Sequence, residues 1–147
     1  MLNCLSVSSR LQIALLFTFS PLFTCSATCT QADLTGTWYL NAFVVSSVDS
    51  LGYWTKCKLS VNSAGAISRA GSSCLYDVGA TRKVSGSLRI NRACAISAAT
   101  FSLWDPFDVL AGTTKLNFGT LDRGKTVMTG VGDASTVEPW VFTGVKP

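Results

Sequence analysis

The chain has no histidine, and it carries only 8 acidic residues among 147. A general base at neutral pH is most often an imidazole, so the commonest acid–base and nucleophile-activating arrangements cannot be built here. A mixed Cys/His zinc site is excluded outright, and no C-x-x-C pair offers the closely spaced cysteines of an all-thiolate site. Lys and Arg never occur in runs longer than two, as in Arg82-Lys83, which excludes a continuous track for nucleic acid. Helical periodicity is nearly missing beyond the first 27 residues. Neither a metal, a cofactor nor catalysis is expected.

What is present at the start is an export signal. Arg10 precedes an apolar run from Leu11 to Phe23, followed by the small residues Cys25-Ser26-Ala27. A basic start, a short apolar middle and a small-x-small end describe a cleaved signal peptide over residues 1–27. The run is too short to span about 30 Å of hydrocarbon, and Pro21 interrupts it, so no transmembrane segment is expected in the mature chain. A lipidated Cys25 is the lesser alternative. The expected location is therefore secreted or periplasmic. Residues 28–147 form one domain, large enough for a single core and expected to be a monomer. Formal charge is +4, and loss of Arg10 leaves +3.

Short β-rich runs separated by Gly, Asn, Asp and Ser predict eight strands near 35–46, 53–62, 66–75, 82–91, 94–104, 113–120, 125–131 and 136–145. Val84, Leu88 and Ile90 share one parity while Lys83, Ser85, Ser87 and Arg89 share the other, as in a strand with one buried face. Residues 59–70 and 88–99 agree at seven of twelve positions, and residues 116–127 form a looser third copy, longer at its turn. Each copy reads as a hairpin with both residues of Leu-x-Val, Leu-x-Ile or Leu-x-Phe facing inward. Successive hairpins make a meander, which closes most economically as an all-β, eight-stranded antiparallel up-and-down barrel. Its lower turns are Ser63-Ala64-Gly65, Asn91-Arg92-Ala93 and Asp122-Arg123-Gly124. Four cysteines lie beyond residue 27. This topology places Cys29 and Cys94 at the bottom and Cys57 and Cys74 near the top. Since bridged Cα atoms must lie within about 7 Å, the expected disulfides are Cys29–Cys94 and Cys57–Cys74.

The entry Leu34-Thr35-Gly36-Thr37-Trp38-Tyr39 resembles the G-x-W start of the calycin barrels, the lipocalins and avidins. That resemblance implies that Gly36 turns the chain into the first strand and that Trp38 closes the barrel's bottom. No arginine in the last strand is available to stack on Trp38. Leu116 and Phe118 stand where avidins carry a biotin-enclosing tryptophan, so biotin is not the implied ligand. The chain is also similar to small periplasmic inhibitors of bacterial metalloproteases, through Leu34 to Leu40, Cys57, Leu59, Val61, Gly65 and Cys74. Those inhibitors use a free N-terminal arm, whereas here the arm carries Cys29.

The upper connections, Ser47–Gly52, Tyr76–Thr81, Trp104–Gly112 and Gly132–Ser135, are expected to be longer than the lower turns. They carry or adjoin Tyr53, Trp54, Tyr76, Asp77, Trp104, Asp105, Phe107 and Asp108. Aromatic rings beside a few polar groups at a barrel mouth suit a small apolar or carbohydrate ligand, or a protein partner. The alternative is that these rings cap the core. Trp54 has the opposite parity to Cys57, Leu59 and Val61, which points it outward. Asp105 and Asp108 are the only close acidic pair at the mouth; a solvated Asp-Pro turn explains them, with a glycosidase-like pair or calcium ligands as the sharper reading. Trp140 and Phe142 read as core. An outer-membrane barrel needs strands of about 9–11 residues and aromatic girdles, which the short strands and the Val145-Lys146-Pro147 end do not match. The function expected is binding. Protease inhibition and a structural role in the cell envelope are the alternatives.

Overall fold

A computed structural model describes residues 28–45, 52–97, 99–134 and 138–147. The expected signal peptide, including Cys4, Arg10 and Cys25, lies outside the described residues, as do 46–51 and 135–137 within two upper connections. The strand segments are β1 (Gly36–Val45), β2 (Gly52–Val61), β3 (Ala66–Ile67), β4 (Ser73–Tyr76), β5 (Thr81–Ser87), β6 (Arg89–Ile90), β7 (Ala95–Ser97), β8 (Ala99–Trp104), β9 (Leu110–Leu121), β10 (Val127–Ala134) and β11 (Pro139–Val145). β3 with β4, β5 with β6, and β7 with β8 are each one broken course of chain, so the barrel has the expected 8 antiparallel strands. Pairing runs from β1 through β2, β4, β5, β8, β9, β10 and β11 and returns to β1, which leaves the circuit without a free edge.

The third strand is interrupted by a 3-10 turn at Arg69–Gly71. The backbone regains its ladder through buried Ser72, whose Oγ accepts from Ser60 N at 2.8 Å and whose carbonyl accepts from Val84 N at 3.1 Å. Alternation inside the strands sends Leu40, Ala42 and Val44 of β1, and Trp140 and Phe142 of β11, into the interior. The same strands turn Asn41 and Thr143 outward, together with Tyr39, Val45, Val141 and Val145. The interior is apolar, unlike the polar lumen of a porin-type barrel that spans a membrane. Among the described residues no helix is long and apolar enough to cross one.

At the bottom, Trp38 is fully buried and its Nε1 donates to Leu34 O at 2.8 Å. Gly36 enters the strand at φ +126°, a conformation that side-chain-bearing residues rarely adopt. Lys146, one residue past the last strand, lies over Trp38. Its Nζ lies 5.2 Å from the centre of the Trp38 ring and donates to Asp33 O at 2.9 Å. Asp33 in turn accepts from Lys125 Nζ at 2.9 Å and from Thr30 N at 2.7 Å. Partial burial pushes the Asp33 carboxyl up, but these bonds outweigh it and hold the group below the ordinary carboxylate value.

Both disulfides are as expected. Cys29–Cys94 has a Cα–Cα distance of 5.0 Å and Cys57–Cys74 one of 4.0 Å. Cys29–Cys94 lies at the bottom turn, but Cys57–Cys74 lies lower than its expected place near the top. Cys57 does not begin its strand, because β2 starts at Gly52; the Cys57–Cys74 bridge joins directly opposed residues partway down the wall.

The internal repeat is a repeat of one turn. At Asn62, Asn91 and Asp122 the side-chain oxygens accept from the backbone N–H groups two and four residues on. The third residue after each, Gly65, Cys94 or Lys125, has positive φ and donates to the first residue's carbonyl. This is a type I turn followed by a left-handed residue, a common short hairpin connection. The third copy aligns differently from expectation. Phe118 is 56% exposed, because pairing shifts between Val131 and Gly132 and leaves Asn117 without a counterpart in β10. This bulge flips the parity, so buried Leu121, not Phe118, takes the place of Val61.

Candidate functional site

The upper interior is incompletely filled. A cavity of about 80 Å³ lies inside the barrel wall. Leu59, Val84 and the Cys57–Cys74 bridge contribute to its lining, as do Leu40, Ala42 and Val44 of β1. Phe101, Leu103, Thr114 and Trp140 line it from β8, β9 and β11, and Tyr53, Thr55 and Tyr76 complete it. Thr55, though polar and buried, has its hydroxyl engaged: Oγ1 donates to Leu75 O at 3.1 Å. The Thr114 hydroxyl donates to Asp133 O at 3.2 Å. The lining is thus apolar in effect.

Two glycines make the aromatic part of this wall possible. Gly132 pairs directly with Trp140 and Gly130 with Phe142. A Cβ on Gly132 would come within 2.5 Å of Trp140 Cε2, and one on Gly130 within 2.5 Å of Phe142 Cε1. The rings therefore lie flat over their neighbours, Trp140 stacked on Phe142 with centroids 5.2 Å apart and edge-on to Phe101 at 6.1 Å. Trp140 is 8% exposed, and its Nε1 is buried without a hydrogen-bond acceptor among the described residues.

The residues singled out in the sequence as a mouth divide into separate places. Tyr53 and Tyr76 do line the cavity, with ring centroids 6.0 Å apart. Arg82 lies over the Tyr76 ring at 5.1 Å. Burial pushes both phenols above their ordinary value; Glu138 adds to this at Tyr53, while Arg82 draws Tyr76 partly back. Asp77 is exposed in the adjoining turn, its N–H donating to Trp54 O at 3.1 Å.

Trp54 faces outward as its parity indicated, 59% exposed and packed against Phe43 at 4.8 Å. Trp104 also lies on the outer wall. Its Nε1 donates to Ser85 Oγ at 2.9 Å, and the Arg69 guanidinium covers its ring at 3.9 Å. A bulge between Leu103 and Trp104 accompanies this placement.

Asp105 forms a fourth copy of the repeated turn, accepting from Phe107 N at 2.9 Å and Val109 N at 2.8 Å, with Asp108 at positive φ. The connection is therefore shorter than expected, since β9 begins at Leu110. Phe107 is 87% exposed at its tip. Asp108 binds Lys83 at 3.0 Å and Arg69 at 2.7 Å; the bond from Lys83 leads in holding its carboxyl below the ordinary value. Asp105 is thus engaged in a turn and Asp108 in ion pairs. Among the described residues no group of three or more Cys, Asp or Glu side chains is arranged to hold a metal ion.

Sequence reading missed Trp140 as a lining residue. The signal available was the pair of glycines, Gly130 and Gly132, at the spacing of Trp140 and Phe142 in the next strand. No protein-family model matches the chain, and no curated protein matches it in sequence. A solved structure, that of a redesigned beta barrel, is similar with a TM-score of 0.55 and 13% identity, over 84% of this chain and 97% of that one. The likeness is one of fold, a small closed antiparallel barrel.

Proposed function

We propose that this is an exported, calycin-like barrel that binds rather than catalyses, and that it takes a small apolar ligand in its upper interior. The observation that carries the reading is the apolar cavity of about 80 Å³ beneath Tyr53 and Tyr76. It is roughly half the volume of an apolar cavity that holds benzene (about 150 Å³), and smaller than the ~300 Å³ at which drug-sized sites begin. The occupant is a compact molecule, or the apolar end of a longer one. The lining is mostly aliphatic and aromatic, and the Thr55 and Thr114 hydroxyls are already engaged with backbone carbonyls, which favours this over a carbohydrate. Two disulfides support export to an oxidising compartment. The Gly36-x-Trp38 entry under the Lys146 cation supports the calycin relationship.

The inhibitor reading is less well supported, because the start of the domain is pinned. Cys29 is bridged to Cys94, and Thr28 O accepts from Lys125 Nζ at 3.2 Å.

Titration with small hydrocarbons tests the proposal. The unaltered protein should bind them saturably, and Ala42→Leu, which fills the cavity from β1, should abolish binding. Trp54→Ala, on the outer wall, should leave it unchanged. Equal binding by the Ala42→Leu variant would place the ligand elsewhere.

A further inference from the structure

We propose that the outer wall of the barrel, away from the cavity, is the interface through which two copies of this chain associate. Register across five strands sets Trp54, Phe43, Val141, Val131 and Phe118 in one continuous row. Trp54, Val141, Val131 and Phe118 are each about half exposed. Phe43 lies down against the wall, its ring filling the space that a Cβ at Gly52 would need, and Trp54 packs on it at 4.8 Å. Two residues nearer the bottom runs a polar row of Lys56, Asn41, Thr143, Thr129 and Thr120. The third row is Lys58, Tyr39, Val145 and Val127, and Asp122 continues it, its N–H donating to Val127 O at 2.8 Å. The only charges in these rows are Lys56 and Lys58 at the β2 edge and Asp122 at the end of β9.

Aromatic rings with few charges are the composition of the core of a homodimer interface. Strands about 4.8 Å apart and outward rows about 6.8 Å apart make this wall roughly 24 by 20 Å, about 500 Å² when unrolled. Two such faces supply about 1,000 Å², the size at which a specific interface begins. Curvature carries the ends of the first row away from a partner, but the large rings of Trp54 and Phe118 stand at those ends, with smaller Val141 and Val131 between them. A second copy also fits this face row by row. A two-fold axis running along β11 lays each row on its own equivalent, so that apolar meets apolar and Asn41 and the threonines can exchange hydrogen bonds. The same operation keeps the lysines of the two copies apart and sets Lys58 of each opposite Asp122 of the other. A lipid phase would instead strip water from the middle row and return no hydrogen-bond partners. Such a dimer departs from the monomer expected from the sequence.

Sedimentation velocity on the oxidised protein from about 10 μM to about 1 mM covers the range in which a contact at the lower size limit dissociates. The unaltered protein should pass from monomer to dimer as its concentration rises. Val141→Lys, which brings two cations together on the axis, should fold and stay monomeric. Val109→Lys, at a comparably exposed residue in an upper turn, should dimerise as the unaltered protein does. An unaltered protein that stays monomeric at the highest concentration overturns the second copy as occupant, and its sedimentation with phosphatidylcholine vesicles would then assign the wall to a lipid surface. Equal dimerisation of the unaltered protein and both variants puts the contact elsewhere and overturns the interface as well. Should Val141→Lys not fold, methyl resonances of the unaltered protein on dilution decide the matter. Those of Val141, Val131 and Val145 should move while those of Val78 and Val109 stay, and shifts confined to Val78 and Val109 would overturn the assignment.

Discussion

Gly132 stands directly across the ladder from Trp140, and the indole occupies the space that any Cβ at position 132 would need. A flat aromatic wall in the upper barrel thus depends on a missing side chain in the neighbouring strand. Gly132→Ala should destabilise the domain by about 1–3 kcal/mol, as overpacking of a core does. It should also alter the near-ultraviolet circular dichroism of Trp140. The Lys115 carbonyl lies nearer still to that Cβ, so a variant as stable as the parent, with an unchanged aromatic spectrum, would contradict the close packing at Gly132 as a whole.

The repeated turn predicts a pH dependence. Asp122 accepts from Val127 N, Thr126 N and Gly124 N, foremost from Val127, and these bonds hold its carboxyl below the ordinary value. A carboxyl whose folded pKa is lowered contributes stability above its unfolded pKa of about 4, and that contribution is lost as pH falls through the folded value. Asp122→Asn keeps an acceptor oxygen but cannot titrate. Its stability should therefore fall less steeply than the parent's below about pH 4, as followed by urea unfolding at several pH values. Parallel profiles would remove Asp122 from the account of acid unfolding.

The floor of the barrel depends on Lys146. Replacing it with Met retains much of the aliphatic packing but removes both the cation over Trp38 and the bond to Asp33 O. A loss of about 1–2 kcal/mol is expected from chemical denaturation, combining one cation–π contact with one hydrogen bond. An effect below about 0.5 kcal/mol would make Lys146 an ordinary surface residue.

The two disulfides should differ in their contribution. They close loops with sequence separations of 65 and 17 residues, which chain-entropy reasoning values at about 4 and about 3 kcal/mol. Paired Cys→Ser replacement at 29 and 94 should therefore lower stability more than replacement at 57 and 74. The reverse order in equilibrium unfolding would mean that packing around the Cys57–Cys74 bridge outweighs the difference in loop length.

Strand parity made much of this molecule legible. Alternation along β2 separated outward Trp54 from inward Leu59, and the antiparallel meander was enough to pair the four cysteines. Parity failed where a bulge changed the count, as at Asn117 before Phe118. The irregular pairing at Trp104 marks another place where simple alternation did not locate a side chain. Trp140 was legible as core from parity, but its packing over Gly132 was not, because that glycine lies on another strand and no window along β11 contains it. Asp105 was legible as a turn residue from its chemistry. That its turn repeats those of Asn62, Asn91 and Asp122 was visible only once backbone conformation was known.

The central claim, an apolar site inside the upper barrel, is tested most directly with xenon, which enters dry apolar cavities without needing a hydrogen bond. Methyl resonances of the oxidised domain would be recorded under increasing xenon pressure, for the unaltered protein and for Ala42→Leu. Saturable shifts are predicted for methyls of Leu40, Val44, Leu59, Val84 and Leu103, all around the cavity, and they should vanish in Ala42→Leu. Shifts that persist in Ala42→Leu, or that appear only at exposed methyls such as those of Val78 and Val109, would contradict an interior site.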